Sequence, residues 1–377
     1  MQTCEVAIIG AGPAGSAAAT FLARRSRSVL LLEKDRFPRA KVCGEFLSAS
    51  ALESLDRLGS RERIEALNPE SIERGLIHLP GSRPISFQLP SPALGLSRFA
   101  LDDLLVRRAQ EAGAEVRFET RVASIERDGN GFVIQSGGRA GAEIRAQSVI
   151  GAWGRWDSLD RSLRRRFLSR PRKFLAWSFD YSGDTLSLAG LVQLFVFPGG
   201  YCGLSRIEGG LAHLAGVISG KTRARLGGGW ETVVAHARHF HTDLDAQLSR
   251  LQPASSGCLG TGPVYFTRKP AVENGILMTG DAAGVIDPFS GEGQSVALAS
   301  GILAAETVER GLSGELSADQ VPGVYAKAWN ARFGHRFVWG RLLRQAMLNP
   351  ALGALAARFA GEGFVRSALR VLATENS

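Results

Sequence analysis

Long apolar runs are absent from the sequence, and cysteine is scarce. No stretch of about eighteen consecutive apolar residues occurs, so no membrane-spanning helix is predicted, and no signal peptide precedes the first apolar strand. These absences favour a cytoplasmic protein. The four cysteines are scattered without a C-x-x-C pair, which argues against a disulfide framework, a zinc site and a dithiol relay. We expect free thiols and no bound metal.

Acidic residues are outnumbered by basic ones. The 45 Lys and Arg against 36 Asp and Glu give a formal net charge of +9, which favours contact with a phosphorylated ligand, an acidic carrier protein or a lipid surface. The densest basic run, residues 161–173, belongs to no known nucleic-acid-binding module. We expect it to be a solvated face, and we expect no nucleic-acid partner.

The histidines do not predict a metal site. His236, His239 and His241 lie close together, but His241 points away from the helix face that the other two share, and no acid or cysteine completes a ligand shell. We expect a polar helix surface there. His213 alternates into a strand and is interpreted as a satisfied pocket or core residue rather than as a catalytic base.

The most informative segment is a glycine-rich turn after the first apolar strand, at residues 6–15. Gly10 allows the tight turn from strand to helix, Gly12 lets a pyrophosphate approach the backbone, and Gly15 lets the helix lie close to the strand. Free N–H groups at the start of the next helix favour anionic phosphates. The next apolar strand ends in Glu33, where the ribose of a bound dinucleotide needs an acceptor. Together they predict a nucleotide-binding βα unit.

A second strand–turn–helix unit occupies residues 274–293. Its strand leads to Gly280-Asp281, a loop containing Pro288 follows, and a helix rich in small residues begins at Gly293. Asp281 can accept a ribitol hydroxyl, and the N–H groups at the helix start favour a ring that becomes anionic on reduction. Two nucleotide-type contacts with one glycine motif suit one extended molecule. FAD fits this requirement, whereas NAD alone would not need the second contact.

On these motifs the chain resembles the superfamily of FAD-dependent oxidoreductases that includes geranylgeranyl reductases and aromatic-ring hydroxylases. The likeness extends to the loop at residues 37–44, to Arg98 and to the strand that ends at Gly151. It implies an α/β fold in which a glutathione-reductase-like FAD-binding Rossmann domain is interleaved with an antiparallel substrate-binding sheet and followed by a C-terminal helical cover.

The implied domains are discontinuous. The FAD-binding domain takes residues 1–70, 96–160 and 270–320, and the substrate-binding β-sheet domain takes residues 71–95 and 170–268. Residues 321–377 form the C-terminal helices. Aromatic residues of the β-rich region predict an apolar substrate pocket. Its expected lining residues are Trp177, Phe195, Phe197 and Tyr201.

The resemblance also implies roles for single residues. Glu33 would hold the adenosine ribose, Arg98 would lie along FAD, Val122 would offer its backbone to adenine, and Asp281 would bind the ribitol. The expected FAD-contacting residues are Gly10, Gly12, Pro13, Ala14, Gly15, Glu33, Lys34, Cys43, Gly44, Arg98, Val122, Gly280, Asp281, Gly291 and Gly293. No catalytic residue is assigned; the candidates near the flavin are Cys43, Glu45, Pro288 and Glu292.

The chain departs from the hydroxylases at Trp153. Hydroxylases carry Asp-Gly at this point, and that Asp is linked to both flavin and nicotinamide handling, whereas this chain has Trp153-Gly154. NAD(P)H therefore stays open as the electron donor. The helix that begins at Gly293 also lacks the Asn and Asp of the hydroxylases and is more similar to that of the reductases. The paired Trp of the halogenases is not found.

Two functions stay open. The first is an enzyme that uses FAD to reduce, desaturate or oxygenate a bulky apolar metabolite of isoprenoid or polyketide type. The second is a flavin-bound electron-transfer protein that serves a partner enzyme. The aromatic strands favour the enzyme, because they indicate a deep cavity rather than a flat docking face. An electron-donor protein or an acyl carrier is a further expected partner.

Two segments near the C-terminus, residues 333–344 and 364–372, mix large apolar residues with arginines at helical spacing. Interfacial helices show this pattern. A helix that packs one apolar face against its own domain shows it too, and this is the favoured interpretation. The alternative is peripheral attachment to anionic lipid.

Overall fold

The computed structural model describes residues 2–129, 131–137, 142–171 and 173–348, without the side chains of residues 255 and 256. The arginine-containing segment at residues 364–372 lies outside these ranges. Within them, sixteen strands form two sheets, and helices cover both.

The first sheet has a parallel centre. Its strands are β1 (Gln2–Ile9), β2 (Val29–Leu32), β6 (Glu115–Arg117), β7 (Val122–Asp128), β8 (Gly131–Ser136), β9 (Glu143–Gly151), β15 (Val272–Glu273) and β16 (Ile276–Met278). Their order is β15-β16-β9-β1-β2-β6, and β7 joins the sheet through β8, which pairs antiparallel with β9. Strands β7, β8 and β9 thus form an antiparallel meander at this side of the sheet.

The carboxyl ends of the central strands meet at one edge of this sheet. Ile9 lies opposite Leu32 in β2 and opposite Gly151 in β9, and Met278 of β16 also lies opposite Gly151. Such an edge is where ligands bind in open parallel sheets.

The second sheet is antiparallel except where β4 and β11 pair. Its strands are β3 (Phe46–Leu47), β4 (Glu70–His78), β5 (Ile85–Gly95), β10 (Phe174–Gly183), β11 (Leu191–Phe197), β12 (Gly200–Arg206), β13 (Ala212–Ser219) and β14 (Leu251–Val264). Their order is β14-β10-β13-β12-β11-β4-β5-β3. Phe46 pairs with Gly95 of β5, so the loop that leaves β2 runs from the first sheet into the second.

Ten α-helices complete the described part of the fold. They are α1 (Pro13–Ala23), α2 (Ala49–Arg57), α3 (Arg61–Glu65), α4 (Arg98–Glu111), α5 (Ser158–Ser162), α6 (Gly220–Leu226), α7 (Glu231–Phe240), α8 (Thr242–Leu248), α9 (Gly293–Leu312) and α10 (Gln320–Leu348). Helices α1 and α9 pack closely because both contain small residues at their contact. A Cβ at Gly301 of α9 would lie only 2.1 Å from the carbonyl oxygen of Ala14 in α1. None of the helices in the described ranges is long and apolar enough to cross a membrane.

Helix α10 buries one face and exposes another. Tyr325, Trp329 and Phe333 are fully buried, and the Tyr325 hydroxyl donates to the Met278 carbonyl oxygen at 2.6 Å. Their spacing of four residues keeps them on one face. Farther along, Val338 and Trp339 are 59% and 49% exposed. The first arginine-containing segment, residues 333–344, therefore has one face that packs against the rest of the protein and one apolar face that is exposed.

Candidate functional site

The glycine-rich turn between β1 and α1 forms a cradle. Gly10 has φ +103°, and a Cβ there would lie 2.5 Å from the Ala152 carbonyl oxygen; a Cβ at Gly15 would lie 1.8 Å from the Gly10 carbonyl oxygen. These two glycines are required by the packing of the turn. A Cβ at Gly12 would meet only the Arg98 guanidinium, at 3.7 Å. Gly12 therefore leaves open space beside the start of α1.

Glu33 closes one side of the cradle. It is buried at the end of β2, where its Oε2 accepts from the Ala11 N–H at 2.8 Å and its Oε1 accepts from the Asp35 N–H at 2.9 Å. The carboxylate is thus fixed against the glycine-rich turn. It lies where an acceptor for a ribose hydroxyl is expected.

Cationic side chains form another side. The Arg98 guanidinium donates twice to the fully buried Asp102 carboxylate, with both distances 2.6 Å, and Arg39 donates to the same carboxylate at 3.1 Å. Burial, together with the positive charges of Arg39 and Arg98, lowers the pKa of Lys41 to about 8. Arg39 also pairs with Glu33 at 3.7 Å and with Asp35 at 3.4 Å. Arg39, Lys41 and Arg98 thus gather positive charge on this wall of the cavity, which suits an anionic group such as a pyrophosphate.

The segment with Gly280 and Asp281, predicted as the second contact with the cofactor, lies next to the glycine-rich turn. Gly280 has φ +53°, and its N–H donates to the Ser300 Oγ at 2.8 Å. Lys269, which the sequence analysis did not single out, donates from Nζ to the Asp281 carbonyl oxygen at 2.8 Å. Burial lowers the pKa of Lys269 to about 7. The Asp281 carboxylate faces the same cavity as Gly12 and Glu33.

One cavity of about 630 Å³ joins these groups to the second sheet. All the residues expected to contact the cofactor line it except Gly15, which is buried in the turn below. The four candidate catalytic residues line it as well. At the far end its wall is mostly apolar and comes from β5, β10, β11, β13 and the loop after β16. The apolar lining includes Phe87, Ala176, Leu194, Val217, Phe266 and Phe289.

The predicted substrate-pocket residues divide into two pairs. Trp177 and Tyr201 line the cavity, but Phe195 and Phe197 do not. They belong to the apolar cluster on the opposite face of the second sheet, under α7 and α8, and the Trp177 side chain packs in that same cluster. Side chains alternate between the faces of a strand, and the residues of β11 that line the cavity are Val192 and Leu194. The prediction for Phe195 and Phe197 was wrong.

A buried polar trio interrupts the apolar wall. The Tyr201 hydroxyl donates to Asp287 Oδ1 at 2.8 Å, and Arg344 of α10 donates to Asp287 Oδ2 at 2.7 Å. Burial raises the pKa of Asp287. Burial and the neighbouring Asp287 raise the pKa of Tyr201 well above its usual value. The trio ties the end of α10 to the cavity wall.

Glu292, one of the candidate catalytic residues, is held by three donors. Its Oε2 accepts from the Ser50 hydroxyl at 3.0 Å, from the Ser295 hydroxyl at 2.5 Å and from Arg336 at 3.3 Å. A carboxylate with this many donors is fixed in place. Its contacts fasten the start of α9 to α2 and α10.

Cys43 and Glu45 lie where the loop after β2 enters the second sheet. Burial raises the pKa of the Cys43 thiol, and Gln294 donates to its Sγ at 3.4 Å. Glu45 has φ +52°, and its Oε2 lies 3.2 Å from His213 Nδ1. That nitrogen is also 2.6 Å from the Asp180 carboxylate. The sequence analysis gave His213 no functional role and did not single out Asp180; their alternation into neighbouring strands was the available signal.

Trp153 is a packed side chain at the end of β9. It is buried, and its indole N–H donates to Asp160 Oδ1 at 3.1 Å. Asp160 in turn pairs with Arg165 at 2.9 Å, and both side chains are fully buried. Arg165 belongs to the basic run expected on a solvated face. That expectation was wrong for this residue, because Arg165 also donates to the Ala282 carbonyl oxygen at 2.9 Å.

Similarity to known proteins extends over nearly the whole chain. Residues 3–186 match the FAD binding domain family. The chain is 29% identical over 376 residues to digeranylgeranylglycerophospholipid reductase 2 of Methanopyrus kandleri, with 96% of this chain and 92% of the relative covered. The chain belongs to the FAD-dependent oxidoreductase superfamily. It is an FAD-dependent enzyme with the FAD-binding α/β fold.

Solved structures with little sequence identity share this fold. A geranylgeranyl bacteriochlorophyll reductase-like protein from Thermoplasma acidophilum superposes with a TM-score of 0.81 at 21% identity, covering 99% of this chain and 96% of the other. A flavin-dependent brominase superposes with a TM-score of 0.82 at 20% identity, covering 98% and 93%. Because both similarities are structural, they define the fold and leave the reaction open.

The cavity of this flavoenzyme fits its cofactor. Gly12 leaves space at the start of α1, Glu33 offers a fixed acceptor, and Lys41 and Arg98 place positive charge between them. A dinucleotide needs each of these features. FAD, when bound, supplies reversible two-electron chemistry; the chain supplies binding, orientation and an environment screened from water.

Proposed function

We propose that this enzyme reduces carbon–carbon double bonds in the polyprenyl chains of a lipid. The observation that carries the proposal is the single cavity with two ends of different chemistry. Its cationic, glycine-lined end suits a dinucleotide, and its apolar end suits a long hydrocarbon chain. The near full-length similarity to a digeranylgeranylglycerophospholipid reductase supports the same substrate class.

The residue roles are part of the proposal. Glu33 binds the adenosine ribose, Arg98 and the N–H groups at the start of α1 face the pyrophosphate, and Asp281 binds the ribitol. Cys43-Gly44 and residues 288–293 then flank the flavin ring, in a glutathione-reductase-like arrangement. Tyr201 lies on the substrate side of the cavity.

A product analysis tests the reaction. FAD-loaded protein, reduced with dithionite under anaerobic conditions, is given a digeranylgeranylglycerophospholipid in detergent micelles, and the lipid is analysed by mass spectrometry. The proposal expects a gain of two hydrogens for each double bond removed. A product that forms only in air and has gained oxygen would identify a monooxygenase. If the lipid is unchanged under both conditions while a protein acceptor is reduced, the chain is an electron carrier.

We also propose that the exposed face of α10 attaches to a membrane that holds this substrate. Val338, Trp339 and Leu342 are about half exposed, and Arg341 is exposed beside them. In the same segment, Leu343 and Met347 pack against the apolar cluster at the cavity. Apolar residues with adjacent arginine suit an interface with anionic lipid, and the +9 net charge adds attraction.

Vesicle flotation tests this attachment. The protein is expected to float with vesicles that contain phosphatidylserine at low salt and to be released by salt, because screening limits surface charge to about 8 Å at physiological ionic strength. The double change Trp339→Asp and Leu342→Asp is expected to abolish flotation. The control is Leu186→Asp, at a leucine that is 74% exposed elsewhere on the surface. Equal flotation of the control and the double variant would contradict the proposal.

A further inference from the structure

Three titratable side chains meet behind the loop that carries Cys43 and Gly44. Glu45 belongs to this loop and lines the cavity, His213 lies on β13, and Asp180 lies on β10. We call them the Glu45–His213–Asp180 group. None of them contributes to the cationic wall or to the apolar end, so their place beside the cavity needs its own explanation.

The hydrogen bonds define where the protons are. His213 Nε2 lies 2.8 Å from the Cys43 carbonyl oxygen, which can only accept, so Nε2 carries a hydrogen. His213 Nδ1 lies 2.6 Å from Asp180 Oδ1. With Nε2 already protonated, this short contact contains a proton in either form of the ring: it belongs to the imidazolium or to the Asp180 carboxyl. The ring therefore stays oriented while that proton moves.

Glu45 is the partner that lacks a matching hydrogen bond. Its Oε2 is 3.2 Å from His213 Nδ1, yet this oxygen is buried and accepts no well-directed hydrogen bond, because the proton of Nδ1 points to Asp180. Its Oε1 accepts from the Arg98 backbone N–H at 3.1 Å. The Leu96 N–H donates to the Glu45 carbonyl oxygen at 3.0 Å. These bonds hold Glu45 in a left-handed conformation, which is uncommon for a residue other than glycine.

The surroundings of Glu45 act on its pKa in both directions, and the net effect is to raise it. Burial raises its pKa, His213 and the Arg98 N–H lower it, and the negative charges of Asp180 and Glu208 raise it further. The Arg98 guanidinium is paired with Asp102 instead. Burial lowers the pKa of His213, but the charges of Glu45 and Asp180 and the hydrogen bonds with Asp180 and Cys43 raise it to about 9.

Exposure differs along the group. The Asp180 side chain is 26% exposed, whereas those of His213 and Glu45 are 4% and 7% exposed. Solvent therefore reaches one end of the group and the cavity reaches the other. We propose that Glu45 donates the proton that completes each double-bond reduction, and that His213 and Asp180 return a proton to it from solvent. This inference rests on the proposed function.

The proposed step balances. Saturation of one double bond adds a hydride to one carbon, supplied by the two-electron-reduced flavin, and a proton to the other carbon, supplied by the Glu45 carboxyl O–H. The Glu45 carboxylate then takes the proton of His213 Nδ1. Asp180 takes a proton from solvent and passes it to His213 Nδ1, which restores the starting state of the group. Because Nδ1 faces both carboxylates, the ring does not need to turn, and Nε2 keeps its hydrogen on Cys43.

A substrate-free titration tests the coupling. FAD-loaded protein with ¹⁵N-labelled histidine is followed by NMR over pH, in the wild type, in Glu45→Gln and in Glu45→Asp. We expect His213 to be charged at neutral pH and to lose its proton near pH 9. The charge of the ionised Glu45 raises the pKa of His213, so Glu45→Gln, which cannot ionise, should lower that pKa, whereas Glu45→Asp can still ionise. A His213 that is neutral at neutral pH, or that titrates identically in Glu45→Gln, would overturn the inference.

A matched histidine serves as the internal control. His241 is also buried, and its Nε2 lies 2.7 Å from the Val196 carbonyl oxygen, but it is on the opposite face of the second sheet. Its resonance is expected to be the same in all variants, which also reports correct folding. If the His241 resonance shifts in Glu45→Gln, the Glu45→Asp titration replaces it: a charged His213 in that variant supports the inference, and a neutral one overturns it.

Single-turnover kinetics test proton donation. Dithionite-reduced, FAD-loaded protein is mixed with a digeranylgeranylglycerophospholipid in micelles, and product is measured over pH. The wild-type rate is expected to fall as pH rises and Glu45 ionises. Glu45→Gln should lower the rate about 100-fold, within the usual range for general acids, and should remove this pH dependence, while His241→Gln changes neither. A wild-type rate that is flat with pH, or a Glu45→Gln rate equal to wild type, would refute the donor role.

The two experiments separate this inference from the proposed function. If wild-type protein does not saturate the lipid, the proposed function fails, and the NMR titration still decides whether the Glu45–His213–Asp180 group shares a proton. If the lipid is saturated but Glu45→Gln behaves as wild type, the proposed function stands and the inference fails.

Discussion

Two glycines of the same turn are expected to fail in different ways when replaced by alanine. Gly12 has φ −70° and ψ −176°, which alanine adopts without strain, and its Cβ would have no contact closer than 3.7 Å. Gly12→Ala should therefore fold normally. Its methyl group would occupy the space through which the pyrophosphate reaches the backbone.

The magnitudes follow from these contacts. Loss of one hydrogen bond between a backbone N–H and a charged phosphate is worth about 1.5–3 kcal/mol, so Gly12→Ala should weaken FAD binding by roughly ten- to a hundredfold. In Gly15→Ala the Cβ would lie 1.8 Å from the Gly10 carbonyl oxygen. That overlap forces the backbone apart and should lower the free energy of unfolding by about 1–3 kcal/mol or more.

The assay measures binding and stability separately. FAD is titrated into deflavinated protein and followed by quenching of flavin fluorescence, and thermal unfolding is recorded without FAD. Gly323→Ala is the control, because a Cβ there contacts nothing within 4 Å. Wild-type affinity in Gly12→Ala, or wild-type stability in Gly15→Ala, would refute the assignment of the cradle.

Three further predictions address the remaining parts of the site. Glu33→Arg removes the acceptor of the Ala11 N–H and should weaken FAD binding by roughly 2 kcal/mol; unchanged FAD content in the purified variant would contradict this role. NADPH without substrate should reduce the flavin slowly, because Trp153 fills the position of the hydroxylase carboxylate; fast reduction in stopped flow would contradict it. Because folding raises the pKa of His213 from 6.5 to about 9, its stabilisation is complete below pH 6.5 and disappears as pH rises through 9, about 3 kcal/mol in total. Urea titrations should show this decline in wild type and a flatter profile in His213→Gln; identical profiles would refute it.

The cofactor end of the cavity could be predicted from the sequence because it depends on local geometry. Gly10, Gly12 and Gly15 report a turn that only glycine permits, and Glu33 follows at a fixed distance along a βα unit. The Gly280-Asp281 unit, predicted as the second contact, lies at the same cavity. In each case the predicted residues belong to a single strand–helix or strand–helix–strand unit, so their positions follow from local geometry.

The substrate end could not be predicted in the same way. Whether Phe195 or Leu194 faces the cavity depends on the register of β11 in the sheet, and a shift by one residue exchanges the two faces. His213 and Asp180 meet Glu45 only because β10 and β13 pair beneath the loop after β2. Asp180 lies opposite His213 in that register. Such long-range pairing leaves no local pattern in the chain.

The central claim is that the reduced enzyme passes two electrons to a carbon–carbon double bond. It is tested most directly by anaerobic titration of dithionite-reduced, FAD-loaded protein with a digeranylgeranylglycerophospholipid, recording the flavin spectrum and the lipid mass in the same sample. We predict that each oxidised flavin is matched by one double bond saturated, with no oxygen incorporated. A flavin that stays reduced until air is admitted, with lipid that is unchanged or has gained oxygen, would contradict the claim.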